Sequence, residues 1–254
     1  MNKPAIQSVA KAFSILEYVL GCSMISEGTE LADIARKFGM QKTTARNMMQ
    51  TLEYCGYIRR TARGVYCAGE KCTMLSKAGR FAGQLRERSL LFLKQAAEKT
   101  GESFILTTLF NGQRLIVASV SGNSIITVNP EAVECEQKYN YARVTTRLLL
   151  ACTSPAEREQ FIALNGMPPE NHWPEAHGNR LAMEAELETI RRQGYCEAPD
   201  TGNFYALAVP VFDSGKRFAA ALGVYAPAFR VDDAKRNVLA ETLRETAVSI
   251  QTNL

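Results

Sequence analysis

The sequence predicts a two-domain α+β protein, with an N-terminal all-α winged helix-turn-helix unit and a C-terminal α/β domain. Three observations carry this. Residues 29–67 read TELADIARKFGMQKTTARNMMQTLEYCGYIRRTARGVYC, two short amphipathic helices joined by a Gly-containing turn and followed by a basic, β-prone hairpin. That order is the pattern of a unit that lays its second helix in the DNA major groove. Charge is segregated: residues 1–88 hold 14 Lys and Arg against 7 Asp and Glu, whereas residues 89–254 hold 16 against 19. A basic head on a mildly acidic body is the electrostatic footprint of a nucleic-acid-binding module joined to a separate domain. Beyond residue 103, β-prone runs and helical patterns are mixed, with an antiparallel hairpin among them, as in an α+β fold.

The first helix is expected over 7–20, where Val9, Ala12, Phe13, Leu16, Val19 and Leu20 recur at three- and four-residue steps and Ser8 precedes them as an N-cap. A loop over 21–28 follows. The second helix covers 30–38, with Leu31, Ile34, Ala35 and Phe38 on one face, and Gly39 makes the turn. The third covers 41–54 and carries two stripes. Ala45, Met48, Met49 and Leu52 form the apolar one; Thr43, Arg46, Asn47 and Gln50 keep the same spacing on the opposite side. Arg, Asn and Gln are the side chains that make bidentate contacts to purine edges. Gln41, Lys42, Thr43 and Thr44 open the helix and are placed for phosphate or the first base. The hairpin over 57–68 gathers Arg59, Arg60 and Arg63, which would follow the sugar-phosphate backbone and position the protein rather than read sequence.

Residues 70–88 read as a linker helix weakened at Gly79 and Gly83, and 90–99 as the first helix of the second domain. The boundaries expected are 1–69 for the winged unit, 70–88 for the linker and 89–254 for the C-terminal domain. A strand over 104–110 turns at Asn111-Gly112 and pairs back over 115–120. A further strand is expected at 125–128, ending at Pro130. Helices follow at 142–152, 155–164 and 181–192, the last stopping at Gly194, with an irregular, exposed, Pro-rich loop at 165–178 between them. Strands at 205–212 and 217–225 meet at Asp213-Ser214-Gly215, and a final helix covers 232–251.

Hydrophobic residues make up 46% of the chain and charged residues 22%, an ordinary globular composition. The apolar N-terminal stretch is interrupted by Glu17, and no run is expected to match a membrane span of ~18–20 residues. The chain is expected in the cytoplasm, without a signal peptide or membrane partner. Its 7 cysteines (Cys22, Cys55, Cys67, Cys72, Cys135, Cys152 and Cys196) are odd in number and none are in CxxC spacing. This favours free thiols, buried as small hydrophobes, over disulfides or zinc. His172 and His177, the only histidines, stand five residues apart beside Trp173, which is not the spacing of a helical ligand pair. No GxSxG, Walker or GxGxxG pattern is present. Neither catalysis, nor a metal, nor a cofactor is expected.

Several segments together resemble the IclR family of bacterial transcriptional regulators. They are SVAKAFSILEYV (8–19), LADIARKFGMQKTTARNMMQTLEYCGYI (31–58), GVYCAG (64–69), KTGES (99–103), GY (194–195) and ALAVPVFDSGKRFAAALGVYAPAFR (206–230). The resemblance spans essentially the whole chain. It implies a GAF-like effector domain at the C-terminus and a homodimer, or dimer of dimers, on a double-stranded DNA operator. Where the family's recognition helix resembles PKSTVxRLLxTL, this chain has QKTTARNMMQTL: the usual Arg falls at Asn47, and Arg46 fills a variable position. The operator sequence is expected to differ accordingly.

The family's PLHxTAxGKAxLA stretch is matched by YNYARVTTRLLLA over 139–151. In the family this begins a helix that lines the effector pocket, and a helix start offers free N–H groups to an anion. The resemblance therefore implies effector contacts at Tyr141, Arg143, Val144 and Thr145. It implies the opposite wall at Phe204, Ala206, Gly223 and Tyr225. Arg143 would either grip an anion bidentately or fill the pocket against an acidic neighbour. With small polar residues lost and an aromatic ring gained, the pocket suits a different ligand, an organic or aromatic acid, or none. The reading is thus a DNA-binding regulator modulated by a small-molecule effector. The alternatives are a regulator with a ligand-free, structural C-terminal domain and a GAF-like small-molecule-binding or hydrolytic protein.

Overall fold

The structure is a computed structural model that describes residues 4–129, 137–198 and 203–254. It divides into two compact units, Met1–Phe81 and Ala82–Leu254. Cys135, Pro130 and residues 199–202 of the CEAPDTG stretch lie outside the described residues.

The first unit contains α1 (Gln7–Ile25), α2 (Leu31–Lys37), α3 (Lys42–Tyr54) and a hairpin of β1 (Ile58–Arg60) with β2 (Tyr66–Ala68). Ile15, Leu16 and Val19 of α1 meet Ile34, Met49, Ile58 and Tyr66 in one core. The apolar period of each helix accounts for this. The hairpin is antiparallel, with Ile58 opposite Ala68 and Arg60 opposite Tyr66. Thr29 bridges to Tyr66, and the approach demands glycine beside it: a Cβ on Gly28, at φ +125°, would stand 2.3 Å from the Tyr66 carbonyl oxygen.

α1 departs from expectation. It starts at Gln7 after Ile6, without a side-chain cap from Ser8, and continues five residues past Leu20 to Ile25. Leu16 and Val19 are buried as expected, but Val9 and Phe13 are exposed, and Ile15 joins the core in their place. The extension makes α1 long and apolar enough to pass a membrane-span test by length and composition alone, a test that core helices also pass, and its Ile15, Leu16 and Val19 are buried in the core of the first unit.

α4 (Glu70–Thr100) is a single helix of 31 residues. Gly79 and Gly83 do not interrupt it, and a Cβ at either would meet nothing within 4 Å. The second unit continues with β3 (Ser103–Phe110), β4 (Gln113–Val120), α5 (Val144–Cys152), α6 (Pro155–Asn165) and α7 (Arg180–Gln193). It ends with β5 (Cys196–Ala198), β6 (Phe204–Phe212), β7 (Phe218–Pro227) and α8 (Asp233–Thr252). Local chemistry sets these ends. Asn111 and Gly112 take the left-handed backbone of a tight hairpin. Ser154 and Glu157 form a capping box ahead of α6, Asn179 caps α7 and Asp232 caps α8.

The five strands form an antiparallel sheet in the order β4-β3-β7-β6-β5. Alternation sorts its two faces. Phe104, Leu106, Leu207, Val209, Leu222 and Val224 pack with Leu93 of α4 and with Leu239, Leu243 and Ile250 of α8. Ile105, Ala206, Ala208, Ala221 and Tyr225 pack with Val144 and Leu148 of α5, Phe161 of α6, and Met183 and Leu187 of α7. The second face is small in its centre, and that is what seats α5. A Cβ on Gly223 would stand 2.6 Å from Cγ2 of Thr145.

One further expectation fails. Residues 125–128 are not a strand. Their carbonyls are taken by side chains: Arg230 donates to Ile126 O at 2.9 Å and Ser103 Oγ to Val128 O at 2.6 Å. Arg230 is itself held at 2.8 Å by the buried Glu102, which also faces Lys235. The 165–178 loop is exposed along half its length, as expected, but it is anchored by Trp173 and Ala176, both buried. Arg147 secures it, stacking 4.8 Å over the Trp173 ring and donating to the His172 carbonyl at 2.5 Å.

Gly223 has no positive φ, so a methyl there acts through packing, chiefly the Thr145 contact, with Ile105 Cγ2 next at 3.4 Å. Gly223→Ala is expected to destabilise the C-terminal unit by about 1–3 kcal/mol through overpacking, read as a lower urea midpoint at unchanged m-value.

Candidate nucleic-acid interface and effector site

α3 presents one face to the core and the other to solvent. Ala45 and Met49 are wholly buried, while Lys42, Thr43, Thr44, Arg46, Asn47 and Gln50 are all exposed. The two faces follow from the helical period, since residues three and four apart share a side. Gln41 stands at the N-cap without a side-chain hydrogen bond to the first turn. The leading N–H groups of α3 are therefore not capped by their own N-cap side chain.

The hairpin brings Arg59, Arg60 and Arg63 to the surface beside α3 within the same unit. Arg59 and Arg60 are exposed on β1. The Arg60 guanidinium lies 5.6 Å from the Tyr66 ring centroid, its Nε donates to the Gly64 carbonyl at 3.4 Å, and its backbone N–H donates to Glu53 Oε1 at 3.1 Å. Arg63 pairs with Glu27 at 3.2 Å, with both side chains more than four-fifths exposed. A pair so exposed contributes only about 0–1 kcal/mol, so it is exchangeable for a phosphate.

The residues matched to an effector pocket also gather in one place. Arg143 is the N-cap of α5, and Val144 and Thr145 form its first turn. Tyr141 sits in a 3-10 turn just before it. Ala206, Gly223 and Tyr225 lie beneath α5 on adjacent strands, with Ala206 opposite Tyr225 in the β6–β7 register. Their environment is closely packed. Tyr225 meets Phe204 edge-on at 5.8 Å, and the Tyr141 hydroxyl donates to the Gly166 carbonyl at 2.5 Å. Burial pushes the Tyr141 hydroxyl up to about 12, against the opposing charge of Arg180. Burial, reinforced by the charges of Arg143 and Arg147, lowers the pKa of the His172 ring. Among the described residues, no cluster of three His, Cys, Asp or Glu is placed to hold a metal ion.

Arg114, on β4, was not singled out by any sequence pattern. Its Nη2 donates to Thr145 Oγ1 at 2.8 Å, which ties the edge of the sheet to the first turn of α5. A basic residue two positions after a hairpin turn carries no signal of its own, and only the fold brings it to the start of α5.

The thiols are sheltered. Burial raises Cys152 to about 11, partly offset by Arg191, and Cys196 to about 12, partly offset by Arg147. A thiol is nucleophilic only as the thiolate. Native labelling with an aromatic disulfide at pH 8 is expected to leave both unmodified in a peptide map, with reaction following only on denaturation.

Two family models match the chain: the IclR helix-turn-helix domain over residues 8–62 and the C-terminal domain of bacterial IclR transcriptional regulators over residues 82–252. Among curated relatives, the HTH-type transcriptional regulator XynR of Escherichia coli is 26% identical over 97% of this chain and 96% of its own length. The Pca operon regulatory protein of Acinetobacter baylyi is 25% identical over 77% of this chain and 71% of its own. Among solved structures, an IclR homologue of Microbacterium hydrocarbonoxydans complexed with 4-hydroxybenzoate superposes with a TM-score of 0.54. It is 22% identical and covers 97% of this chain and 98% of its own, so it speaks for the fold.

Proposed function

The chain belongs to the IclR family of bacterial transcriptional regulators, and on that premise we propose that it binds its operator as a dimer through α3 and answers to a small organic acid held by its C-terminal domain. DNA binding and a C-terminal effector domain come with the family. The choice of residues, the dimer and the ligand class are our reading.

The observation that carries it is the outward face of α3. Arg46, Asn47 and Gln50 are exposed together on the side away from buried Ala45 and Met49. They are assigned to base edges in the major groove. Gln41, Lys42, Thr43 and Thr44 are assigned to phosphate and the first base, where uncapped N–H groups and the helix dipole favour an anion. Arg59, Arg60 and Arg63 are assigned to the backbone, Arg63 exchanging Glu27 for phosphate. In a dimer, two such heads must match half-sites separated by roughly 34 Å, one groove repeat. An effector acts by changing that match.

The acid class rests on the position of Arg143 at the start of α5 and on the 4-hydroxybenzoate bound by the Microbacterium relative. One observation favours a second reading, in which the C-terminal domain is structural: the Thr145 methyl fills the space above Gly223, and Tyr225 is packed on Phe204.

Arg46→Ala is expected to cost ~1–3 kcal/mol at the cognate site and to relax base preference at one position of each half-site. Fluorescence anisotropy with cognate and scrambled duplexes separates the outcomes. Equal loss on both would assign Arg46 to phosphate and not to bases.

A further inference from the structure

Tyr54 closes α3 and is 92% exposed. At 3.6 residues per turn it falls within about 40° of Thr43, Asn47 and Gln50, on the outward face of the helix. It lies outside the core cluster of the first unit. Among the described residues its hydroxyl has no hydrogen-bond partner and its ring no aromatic or cationic one. The rest of the last turn is committed elsewhere. Thr51 Oγ1 donates back to the Asn47 carbonyl at 2.9 Å, Leu52 packs on the core, and Glu53 Oε1 accepts the Arg60 backbone N–H at 3.1 Å. No basic residue stands in that turn, so Tyr54 supplies its outward hydrogen-bond donor. The Glu53 bond also ties β1 to this end of α3, which sets the exposed Arg59 and Arg60 beside Tyr54 and away from Lys42.

We propose that Tyr54 is a further DNA-contacting residue, its hydroxyl donating to a phosphate oxygen and its ring lying on the adjacent sugar, on the strand opposite the one met by the start of α3. Length argues for this. Arg46 to Gln50 rises about 6 Å, inside the roughly 12 Å width of the major groove, whereas Thr43 to Tyr54 rises about 16 Å. A helix crossing the groove with Lys42, Thr43 and Thr44 at one wall brings Tyr54 to the other, where the basic hairpin also stands. Tyr is among the side chains that bond phosphate and so fix register without reading sequence. The end of a helix carries partial negative charge, and the length of a phenol keeps the phosphate clear of the last carbonyls. A neutral donor also releases no counterion of its own, unlike the arginines of the hairpin. The inference rests on the reading that α3 enters the groove, and it extends that footprint by one turn.

The test is fluorescence anisotropy of the full chain on a duplex that the wild type selects from a random pool and on a scrambled duplex. Tyr54→Phe should weaken binding about threefold to tenfold, the loss expected for one neutral hydrogen bond, and Tyr54→Ala should weaken it more. Both losses should be equal on the two duplexes, with the slope of log affinity against log salt unchanged. Neutral methylphosphonates placed one at a time along the selected duplex should find a phosphate whose replacement weakens wild type but not Tyr54→Phe. The same phosphate penalties in both proteins would overturn the proposal and assign any loss to contacts within the protein. Loss confined to the selected duplex would overturn it by placing Tyr54 on base edges. If Arg46→Ala weakens binding and Tyr54→Ala does not, the proposal fails and the α3 reading stands. If neither variant changes affinity, or the wild type selects no duplex, the α3 reading fails and takes the proposal with it.

Discussion

Ala45 and Met49 are wholly buried, Met49 in one cluster with α1 and the hairpin, and that burial fixes the rotation of α3 about its axis. Turning the helix far enough to hide its polar face would bring both into water, at a cost of about 1.5–3 kcal/mol for the Met side chain alone. Arg46, Asn47 and Gln50 are therefore presented outward as a set, before any DNA is met. The basic hairpin stands on the same core through Ile58 and Tyr66. α3 and the hairpin are positioned by one small cluster of side chains, so the surface proposed to meet DNA is preformed.

In the second unit the corresponding constraint is the small centre of one sheet face. Ala206, Ala208, Ala221 and Gly223 let α5 settle close to β6 and β7. The seat decides how the space over this face is used: above Gly223 it is filled by the Thr145 methyl.

Periodicity made much of this legible. The two stripes of α3 are written in 41–54 at helical spacing, and every residue assigned to DNA from that helix lies on the exposed side. The hairpin at Asn111-Gly112 and the strands β6 and β7 follow from turn chemistry and alternation. Other features depend on partners distant in sequence. Residues 125–128 have strand-like composition, but Arg230 and Ser103 take their carbonyls before a strand can. β5 has only three residues, too few to show a pattern. Nothing local in the 165–178 loop shows that Trp173 is its buried anchor under Arg147. Arg114 has no motif, and its place beside Thr145 follows only from the pairing of β4 with β3.

The central claim is that this chain reads DNA sequence through a preformed two-sided helix. Selection from a random duplex pool by the intact protein, followed by sequencing of what is retained, tests it most directly. The account predicts enrichment of one motif repeated with two-fold symmetry, its half-sites about one helical turn apart. A retained pool as random as the input would contradict it.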